Sequence, residues 1–533
     1  MAMVPSRYVT WLLICTALLL VLSADLRQDA YHQVGGNPPG VKWDRRAPPA
    51  GERRLASCEP VTEFGADPSG VTDSTNAFSK AIAHAAAAGA ACIAVPSGTF
   101  DIGNLVIDAY DNVTILCETR SNSAAGGTKL RARTPGTTMF YVKKVSGVWF
   151  RNCTFTSHLQ QTAGSYVIFD GAHKSGLSDY TLLNGFDPIV VQGDAGEVFF
   201  DGAGSIRNWK NNMVTLRGAH DVYVTHLVAD QDSSALDPNA CFYIEHSGGS
   251  LTISDSDLIH CHMGVWANPG VGEFVNWIYL SSVYFDTCDF PDSGREANAI
   301  NLTPTKGGKV YGISFSNLWT STCAQGIHAE ADAPSAVSGI IGTNHQALNN
   351  SKHAAFFRNV EDVAISNPLY AGNSQAAKGG YSAVRIVGAR SNNLSISGGR
   401  IGGGVEGYPA THSYGIEIAD DVEGVVLVDG VNLRGNVHGA ASVGIRLGLG
   451  SHILGSPGFN PRGTAVVVTG ASPWSYTAGM TQEFLNIYGG NVQSVTKNSA
   501  VLCVASPCGV MLAPLETVVM SFSETPHVVS SRN

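Results

Sequence analysis

A short apolar strand pattern recurs along the sequence from Met213 onward, and this repeat restricts the fold more than any other feature. Successive copies, such as "GIEIAD", begin about 29 residues apart, and a second strand pattern follows each copy after a few residues. The copies begin at Met213, Cys241, Gly264, Ala299, Gly326, Ala355, Ala383, Gly415 and Gly444. No helix pattern separates them, and one such repeat cannot bury its own Val, Ile and Leu side chains. The sequence therefore predicts a β-solenoid, in which the core forms between stacked coils.

One position of the repeat, at the end of the second strand pattern, is occupied by cysteine or asparagine in several copies. In this alignment the column contains Cys261, Cys288, Cys323, Asn349, Asn373 and Asn436. Stacked asparagines can form hydrogen bonds along the axis of stacked parallel strands. For the cysteines two alternatives stay open, a disulfide between neighbouring coils and a column of buried thiols.

An amphipathic helix pattern precedes the repeats. Asp73 or Ser74 is a candidate N-cap, and Gly89 can end the helix. Its apolar face contains Ala77, Phe78, Ala81, Ile82 and Ala85. The end of a solenoid exposes unpaired backbone groups and apolar side chains, so we expect this helix to cover the N-terminal end. The segment "CIAVPSGTFDIG", which follows the helix, then provides the first strand and turn.

The segment "EFGADPSGVTDSTNAFSKAIAHAAAAGAACIAVPSGTF" resembles the N-terminal signature of the pectate-lyase superfamily. This group of right-handed parallel β-helix proteins includes glycoside hydrolase family 28-related proteins, epimerase-like proteins and many phage tailspikes. The resemblance is specific over residues 61–100, and the strand repeats extend it to about residue 460. It implies an all-β, right-handed parallel β-helix with an association with polysaccharides. It implies no particular reaction, because hydrolases, lyases, epimerases and non-catalytic spikes share this fold.

Motifs of the individual subgroups are mostly missing from the sequence. Polygalacturonases carry Asn-Thr-Asp, Asp-Asp, Gly-His-Gly and Arg-Ile-Lys on successive coils, whereas this sequence offers only Asp420 and Asp421, late in the repeats. Calcium-dependent pectate lyases carry Trp-Ile-Asp-His, whereas the segment "NWIYL" has Tyr and Leu in place of Asp and His. The sequence therefore does not support calcium-dependent cleavage of pectate.

Composition and charge exclude several classes of protein. Charged residues make up 14% of the 533 residues, and 60 residues are glycine, which favours extensive β structure over a helical bundle. The formal net charge of -10 argues against a nucleic-acid partner, which requires basic surface. An acidic polysaccharide remains compatible with this charge, because a local basic cleft is sufficient to bind it.

The N-terminal segment indicates export. Residues 8–24 form an uncharged, leucine-rich run after a positive flank, which we interpret as a signal peptide, with an uncleaved membrane anchor as the alternative. No second long apolar run follows, which excludes a polytopic membrane protein. Cys15 lies in the apolar run, and the ten cysteines outside it permit disulfides in an exported chain. Sequons for N-glycosylation begin at Asn112, Asn152, Asn301, Asn349 and Asn393.

Acidic side chains are most concentrated between Asp230 and Glu296. Glycoside hydrolysis uses two carboxyl groups roughly 5–9.5 Å apart, and neighbouring strands of a solenoid lie about 4.8 Å apart. Carboxylates on adjacent coils, or two coils apart, therefore reach the required separation. The candidate catalytic residues are Asp230, Asp232, Asp237, Glu245, Asp292 and Glu296. By contrast, we interpret the segment "SDSD" at residues 254–257 as turn residues that cap backbone amides.

A sugar-binding site uses hydrogen-bond donors, cations and aromatic rings. A lyase or epimerase also needs a base, together with a cation that holds the uronate carboxylate. The candidate substrate-binding residues are His262, Trp266, Arg295 and Lys306. His260 and His262 alternate onto one face of a strand, but the sequence offers no third ligand. We therefore predict neither a metal site nor a cofactor.

These patterns define four predicted segments. They are a signal peptide or anchor (residues 1–24), a flexible Pro/Gly-rich linker (25–57), a parallel β-helix with an N-terminal capping helix (58–462) and a less regular C-terminal β segment (463–533). We expect a secreted enzyme that acts on a polysaccharide, with glycoside hydrolase ahead of lyase or epimerase. The alternative is a non-catalytic glycan-binding spike or adhesin on a virion or cell surface, which could form a homotrimer. Contact with a membrane is expected only through an N-terminal anchor.

Overall fold

Parallel β-sheets wind around one apolar core in the computed structural model. It describes residues 58–88, 92–121, 126–231, 238–288, 296–404, 407–444, 446–459, 464–466, 468, 470–479 and 483–532. All of these residues belong to one compact unit, Leu55–Asn533. The predicted signal peptide or anchor and the predicted linker lie outside the described residues.

The solenoid begins with a 3-10 helix, Val61–Phe64, and the α-helix α1, Thr75–Ala87. Its strands in chain order are β1 (Glu59–Pro60), β2 (Cys92–Val95), β3 (Gly98–Ile102), β4 (Leu105–Ile107), β5 (Thr114–Cys117), β6 (Thr128–Ala132), β7 (Phe140–Lys143), β8 (Trp149–Arg151), β9 (Thr154–Ser157), β10 (Val167–Asp170), β11 (Gly176–Ser178), β12 (Thr181–Leu183), β13 (Ile189–Gln192), β14 (Gly196–Asp201), β15 (Gly204–Arg207), β16 (Asn212–Thr225), β17 (Leu227–Asp230), β18 (Ala240–Ser247), β19 (Leu251–Ile259), β20 (Met263–Ala267), β21 (Phe274–Asp286), β22 (Asn298–Leu302), β23 (Lys309–Ser316), β24 (Trp319–Ser321), β25 (Gln325–Glu330), β26 (Ala336–Thr343), β27 (Gln346–Leu348), β28 (Ala355–Arg358), β29 (Val360–Ser366), β30 (Leu369–Ala371), β31 (Val384–Val387), β32 (Asn392–Ser397), β33 (Arg400–Ile401), β34 (Tyr414–Ile418), β35 (Val426–Asp429), β36 (Gly439–Val443) and β37 (His452–Leu454).

Each coil passes through three sheets in the same order, and every strand pairs in parallel with its counterpart on the next coil. Sheet 1 contains β4, β7, β10, β13, β18, β20, β22, β25, β28, β31, β34 and β36. Sheet 2 contains β1, β2, β5, β8, β11, β14, β23, β26, β29, β32, β35 and β37. Sheet 3 contains β3, β6, β9, β12, β15, β17, β24, β27, β30 and β33. The long strands β16, β19 and β21 each bend at a corner and contribute to two sheets.

The predicted parallel β-solenoid is therefore confirmed, and most of the predicted repeat starts coincide with strands of sheet 1. The pattern at Gly326 lies in β25, and the pattern at Gly415 lies in β34. The last predicted start, Gly444, is wrong, because the corresponding strand β36 ends at Val443. The "CIAV" segment is strand β2, as predicted, so the solenoid also extends well before Met213.

A tight corner separates sheet 2 from sheet 3 in several coils, and asparagine occupies it. Asn317, Asn344 and Asn367 have φ angles of 50°, 53° and 51°. Asparagine tolerates this left-handed conformation better than most residues, because its short polar side chain bonds locally. Asn344 donates its side-chain amide to the oxygen of Asn317 on the preceding coil at 3.1 Å. These corners keep the register of sheet 3 constant from coil to coil.

The column of cysteines and asparagines exists, with one shift in register. The Cys323 backbone amide donates to the side chain of Asn350 at 3.0 Å, and Asn350 in turn donates to Asn373 at 2.9 Å. The column continues through His412 to Asn436. The predicted member Asn349 is wrong by one residue, because Asn349 occupies the left-handed corner itself, with φ at 55°.

Every described cysteine belongs to a disulfide. The pairs are Cys58–Cys92, Cys117–Cys153, Cys241–Cys261, Cys288–Cys323 and Cys503–Cys508. Of the two alternatives for the cysteine column, a disulfide between neighbouring coils is correct for Cys288 and Cys323. Five disulfides are typical of an extracellular protein, because the cytosol keeps thiols reduced.

The helix α1 has the predicted apolar face. Ala77, Phe78, Ala81, Ile82 and Ala85 are all buried. The Phe78 and Phe100 rings pack edge to face, 5.9 Å apart, which joins the helix to strand β3 of the first coil. Both candidate N-cap residues form hydrogen bonds near the start of the helix. The Asp73 carboxylate accepts from the Thr75 amide at 2.9 Å, and Ser74 accepts from the Asp67 amide at 3.0 Å.

The C-terminal segment forms two four-stranded antiparallel sheets around a second apolar core. The strands are β38 (Thr464–Val466), β39 (Trp474–Thr477), β40 (Glu483–Tyr488), β41 (Asn491–Lys497), β42 (Ala500–Cys503), β43 (Cys508–Leu512), β44 (Thr517–Glu524) and β45 (His527–Arg532). The segment is thus more regular than the sequence predicts. Strands β44 and β45 are consecutive in the chain but belong to different sheets.

Among the described residues, no helix combines the length and the apolar character that a membrane crossing requires.

We predict that the disulfides contribute to stability according to the length of chain that they close. The loop between Cys288 and Cys323 spans 35 residues, and the loop between Cys503 and Cys508 spans 5 residues. Loop-closure entropy gives about 4 kcal/mol for the first and about 2 kcal/mol for the second. Urea unfolding of the double variants C288S/C323S and C503S/C508S measures both effects, and a larger loss for C503S/C508S would contradict the prediction.

Candidate functional site

Side chains capable of chemistry gather on two outward faces of the solenoid, one on sheet 3 and one on sheet 1. Side chains alternate between core and solvent along a strand, so residues in register on successive coils form rows. On sheet 3 one outward row contains Val228, Asp257, Tyr284, Trp319, Gln346, Leu369 and Arg400. The neighbouring row contains Asp230, Ile259 and Asp286.

Three aspartates and a histidine form the sheet 3 cluster, which consists of Asp230, Asp257, Asp286 and His260. Asp257 lies diagonally between Asp230 on the preceding coil and Asp286 on the following coil. Strand spacing and rise place the backbones of diagonal neighbours roughly 8 Å apart. His260 Nδ1 lies 3.0 Å from Asp230 Oδ1, and Thr287 donates its hydroxyl to Asp286 at 3.2 Å. The cluster therefore brings together three carboxyl groups from three consecutive coils.

Asp257 lies in an environment that disfavours the ionised form of its carboxyl group. Burial raises its pKa, and the negative charges of Asp286 and Asp230 raise it further. Within the described residues its carboxyl group has no hydrogen-bond donor that would favour the ionised form. A carboxyl group with a raised pKa beside ionised partners is the arrangement that separates an acid from a base in catalysis.

Aromatic rings continue the row that begins at Asp257. Tyr284 is exposed and packs edge to face against Trp319, with the ring centroids 5.5 Å apart. The indole nitrogen of Trp319 is buried and has no hydrogen-bond partner among the described residues. Pyranose rings pack well on such side chains, because aromatic rings offer flat apolar surface together with polar atoms. The sheet 3 face thus combines acids with a surface that suits a sugar.

The sheet 1 network is a chain of paired polar groups on β25, on β28 and on the segments that precede β22 and β28. Gln325 donates to Glu296 at 3.1 Å and to His328 Nδ1 at 2.7 Å, and His328 Nε2 lies 3.3 Å from Glu330. Lys352 forms an ion pair with Glu296, and Arg358 forms one with Glu330. The network links two carboxylates through an amide and an imidazole.

Both carboxylates of the sheet 1 network favour the ionised state. Burial acts against ionisation of Glu296, but Lys352, His328 and Gln325 together lower the pKa of its carboxyl group. The hydrogen bond from His328, with the charge of Arg358, lowers the pKa of Glu330. Neither group is therefore suited to donate a proton at neutral pH, and the network is better suited to hold hydroxyl groups than to cleave a bond.

The structure separates several of the predicted catalytic residues. Asp230 lies in the sheet 3 cluster, whereas Glu245 lies on sheet 1 and forms an ion pair with Arg217 at 2.8 Å. Glu296 belongs to the sheet 1 network. Asp230 and Glu245 thus occupy different faces and do not converge in one groove. The remaining predicted residues, Asp232, Asp237, Asp292 and Arg295, lie outside the described residues.

The predicted substrate-binding residues also occupy different environments. Trp266 lies on sheet 1, where its indole donates to Thr303 at 3.1 Å and its ring packs against Tyr243. His262 is buried beside the start of β20, so it does not present a ring to solvent. Lys306 is exposed in the turn between β22 and β23.

The predicted glycosylation sequon at Asn301 is inaccessible, because the Asn301 side chain is buried and donates to Thr303.

Asp257 is the main residue that sequence reasoning misses. The segment "SDSD" suggests a turn, and Asp255 does lie in the corner between sheets 2 and 3, with φ at 48°. Asp257 follows two residues later within β19 and faces outward, so its interpretation as a turn residue is wrong. The outward position lies two residues after the corner residue, so this spacing could have identified Asp257 from the sequence. In other coils the same position holds Tyr284, two residues after the corner residue Ser282.

No metal centre is formed by the described residues, since no three side chains of His, Cys, Asp or Glu within them are arranged to hold an ion.

We predict that Asp257 makes stability depend on pH. The raised pKa means that the folded protein keeps a proton that the unfolded chain releases above the ordinary value of 3.8. The free energy of unfolding therefore falls as pH rises from that value through the folded-state pKa. Urea unfolding between about pH 4 and pH 7 should show a smaller fall in D257N than in the wild type. The matched variant D255N should keep the wild-type slope, and equal slopes in all three proteins would contradict the prediction.

Comparison with known proteins agrees with this architecture. Residues 60–128 match the family model described as rhamnogalacturonase A/epimerase, pectate lyase-like. Among curated protein sequences there is no significant match.

Several solved structures are similar to this chain at low sequence identity. Tailspike protein 3 of bacteriophage CBA120 is 13% identical, with a TM-score of 0.49 over 86% of this chain and 73% of the tailspike. The A-module of a mannuronan C-5 epimerase from Azotobacter vinelandii is 16% identical, with a TM-score of 0.37 over 73% of this chain and 99% of the module. An exopolygalacturonase from Thermotoga maritima is 10% identical, with a TM-score of 0.38 over 58% of this chain and 90% of the enzyme. Residues 60–128 thus carry a pectate-lyase-like signature at the start of a parallel β-solenoid, which confirms the resemblance predicted from the sequence.

Proposed function

We propose that the protein is an extracellular glycoside hydrolase whose active site is the sheet 3 cluster. The observation that carries this proposal is the position of Asp257 between two further carboxyl groups on neighbouring coils, in an environment that favours its protonated form. The pectate-lyase-like signature supports a polysaccharide as the substrate. The five disulfides support an extracellular place of action.

In this proposal Asp257 is the general acid and Asp286 is the general base. Asp257 donates its proton to the glycosidic oxygen as the bond between that oxygen and the anomeric carbon breaks. Asp286 accepts a proton from the water molecule whose oxygen attacks the anomeric carbon from the opposite side. The spacing of roughly 8 Å between the diagonal neighbours suits an inverting enzyme, in which the carboxyl groups lie about 6.5–9.5 Å apart to admit this water.

Asp230 is a positioning residue in this scheme. Its contact with His260 at 3.0 Å fixes its orientation, and its charge helps to keep the proton on Asp257. Tyr284 and Trp319 provide the surface on which a neighbouring sugar packs. Of the predicted catalytic residues, Asp230 belongs to this site but takes a positioning role, while the sheet 1 residues Glu245 and Glu296 become candidates for binding alone.

A non-catalytic glycan-binding protein is the second candidate. The sheet 1 network favours it, because its carboxylates are ion-paired and the His328 ring stacks on the ring of Phe356, with the centroids 5.1 Å apart. Such a face can bind sugar hydroxyl groups without breaking a bond. A lyase or epimerase has less support, since one of its predicted cations, Lys306, lies in an exposed turn and the other, Arg295, lies outside the described residues.

We predict that D257N and D286N lower the rate of hydrolysis by about 10² to 10⁴, which is the usual contribution of a general acid or base. The full chain is incubated with acidic and neutral polysaccharides, while new reducing ends and ultraviolet-absorbing unsaturated products are followed. The wild type should release reducing ends without unsaturation. For a susceptible substrate, NMR of the initial product should show inverted anomeric configuration.

Two control variants separate the two faces. D255N changes an exposed carboxylate in the same strand and should leave the rate unchanged. E330Q changes the sheet 1 network and should reduce the rate less than tenfold. A severe loss in E330Q together with full activity in D257N would move the active site to sheet 1. Glycan binding without cleavage by the wild type would favour the second candidate.

A further inference from the structure

Three histidines are buried in the interior of the C-terminal coils. His345 lies between β26 and β27, His353 precedes β28, and His412 precedes β34. Their exposed fractions are 0%, 4% and 0%, whereas His173 and His226 of the N-terminal coils are exposed. An imidazole gains a positive charge in mild acid unless its environment lowers its pKa, so buried histidines make a fold sensitive to acid.

The hydrogen bonds around His412 require a neutral imidazole. Its Nε2 atom accepts from the backbone amide and from the side-chain amide of Asn373, at 3.2 Å each. The orientation of the Asn373 side chain is fixed, because it also donates to the carbonyl oxygen of Ala347 and accepts from Asn350. On the other side of the ring, the Nδ1 atom donates to the side-chain oxygen of Asn436 at 3.1 Å. Protonation of Nε2 would therefore place an N–H group against two donors.

His353 also has one proton position that its neighbours determine. Its Nδ1 atom donates to the carbonyl oxygen of Ser382 at 2.6 Å, and a carbonyl oxygen can only accept. The rings of Phe356 and Tyr381 pack against the imidazole, with the centroids 5.7 Å and 5.3 Å away. A second proton on this ring would add a charge that is buried among aromatic side chains, which is unfavourable.

His345 joins three consecutive coils through two hydroxyl groups. Its Nε2 atom lies 3.0 Å from the hydroxyl oxygen of Thr320, and its Nδ1 atom lies 2.9 Å from that of Tyr370. Thr320 belongs to β24 on the preceding coil and Tyr370 belongs to β30 on the following coil. The Phe315 ring packs edge to face against the imidazole. A charge on His345 would be buried without an acidic partner among the described residues.

The charged groups near these histidines do not compensate for burial. Arg385 on β31 and Lys352 oppose protonation of His353, whereas Glu417 on β34 favours it. Glu417 is shared, however, because it also forms an ion pair with Arg385 at 3.4 Å. His353 in turn opposes protonation of His412.

The direction of the pH effect follows from the environment of the three rings. Burial is the main cause that lowers the pKa, to about 3 for His345 and to about 4 for His353 and His412. The ordinary value is 6.5, so opened coils bind protons that closed coils exclude. The free energy that keeps the coils closed is therefore complete above pH 6.5 and decreases as the pH falls toward 4. Between pH 7 and pH 5 each histidine lowers the equilibrium constant for closing about 20-fold.

From this geometry we propose that the coils from β27 to β34, the histidine segment, open in mild acid while the N-terminal coils stay closed. The coils of a solenoid contact only their neighbours, so one part of the stack can open without the rest. Opening removes Lys352 and Arg358 from the sheet 1 network, because both cations belong to the histidine segment and pair with Glu296 and Glu330 on preceding coils. The sheet 3 cluster lies outside the segment, so this inference does not depend on the proposed function.

Hydrogen–deuterium exchange of the full chain, followed by mass spectrometry of its peptides, measures the closing of individual coils. Exchange rates at pH 7 and pH 5 are divided by the rates of the same peptides in the unfolded chain at each pH. Peptides within residues 344–397 should lose protection by about 100-fold or more, whereas peptides within residues 126–231 should change by less than about threefold. Asp257 acts with the opposite sign, but it lies on β19, outside both ranges.

The dependence of protection on pH also counts the protons that opening takes up. Between pH 6 and pH 5 the logarithm of the protection factor in residues 344–397 should change with a slope of about two to three protons. This slope needs no variant, so it tests the proposal even where a substituted chain fails to fold. A slope below about one proton would overturn it.

Substitutions identify the histidines as the source of the effect. The triple variant H345Q/H353Q/H412Q keeps groups that donate and accept but cannot gain a charge, so its protection in residues 344–397 should change by less than about threefold between pH 7 and pH 5. Each single variant should reduce the slope by about one proton. H438Q is the matched control, because His438 is exposed, lies 3.1 Å from the Ser413 hydroxyl on a neighbouring coil and should leave the wild-type behaviour unchanged.

Three results overturn the proposal. The first is a wild type that keeps its protection in residues 344–397 at pH 5. The second is a loss of protection that affects residues 126–231 to the same extent, because the opening would then not be local. The third is a set of folded histidine variants that retain the wild-type slope.

Discussion

Hydrogen bonding between neighbouring coils is the constraint on which the rest of the structure depends. No coil closes a core by itself, so its apolar side chains become buried only when the next coil pairs with it in register. The interior columns illustrate this, as Val265, Ile300, Ile327 and Ala355 stack from coil to coil in sheet 1. A stack of coils leaves its first coil without a preceding partner, and the apolar face of α1 covers this N-terminal end.

The same pairing determines what can become a functional surface. Residues about 30 positions apart in the sequence become neighbours when their coils stack. Asp230, Asp257 and Asp286 come from three coils and meet only through this register. An enzyme on such a scaffold needs no convergence of loops, because the regular spacing of strands already provides separations that suit two carboxyl groups. It also extends naturally into a linear surface, which matches the shape of a polysaccharide.

The fold was predictable because its signals are repetitive and local. These signals are the amphipathic pattern of α1, the strand repeats and the cysteine column. Each is periodic, so a wrong assignment of one residue does not change the predicted fold. The candidate site was less predictable, because it depends on the exact register. A shift by one residue exchanges the two faces of a strand. Asp255 and Asp257 look alike in the sequence, yet one lies in a corner and the other faces outward beside two acids. Glu245 lies in the acidic region between Asp230 and Glu296, but its carboxylate forms an ion pair with Arg217.

The connectivity of the disulfides has a consequence for how an exported chain matures. The described cysteines pair consecutively along the sequence, at separations of 5 to 36 residues. None of these five loops encloses another, so each pair can oxidise once its own segment of the chain is available, without waiting for the C-terminal half. Local pairing of this kind suits folding that proceeds coil by coil from the N-terminus. When folding proceeds in this order, each pair of cysteines can close before the following pair becomes available as a competing partner.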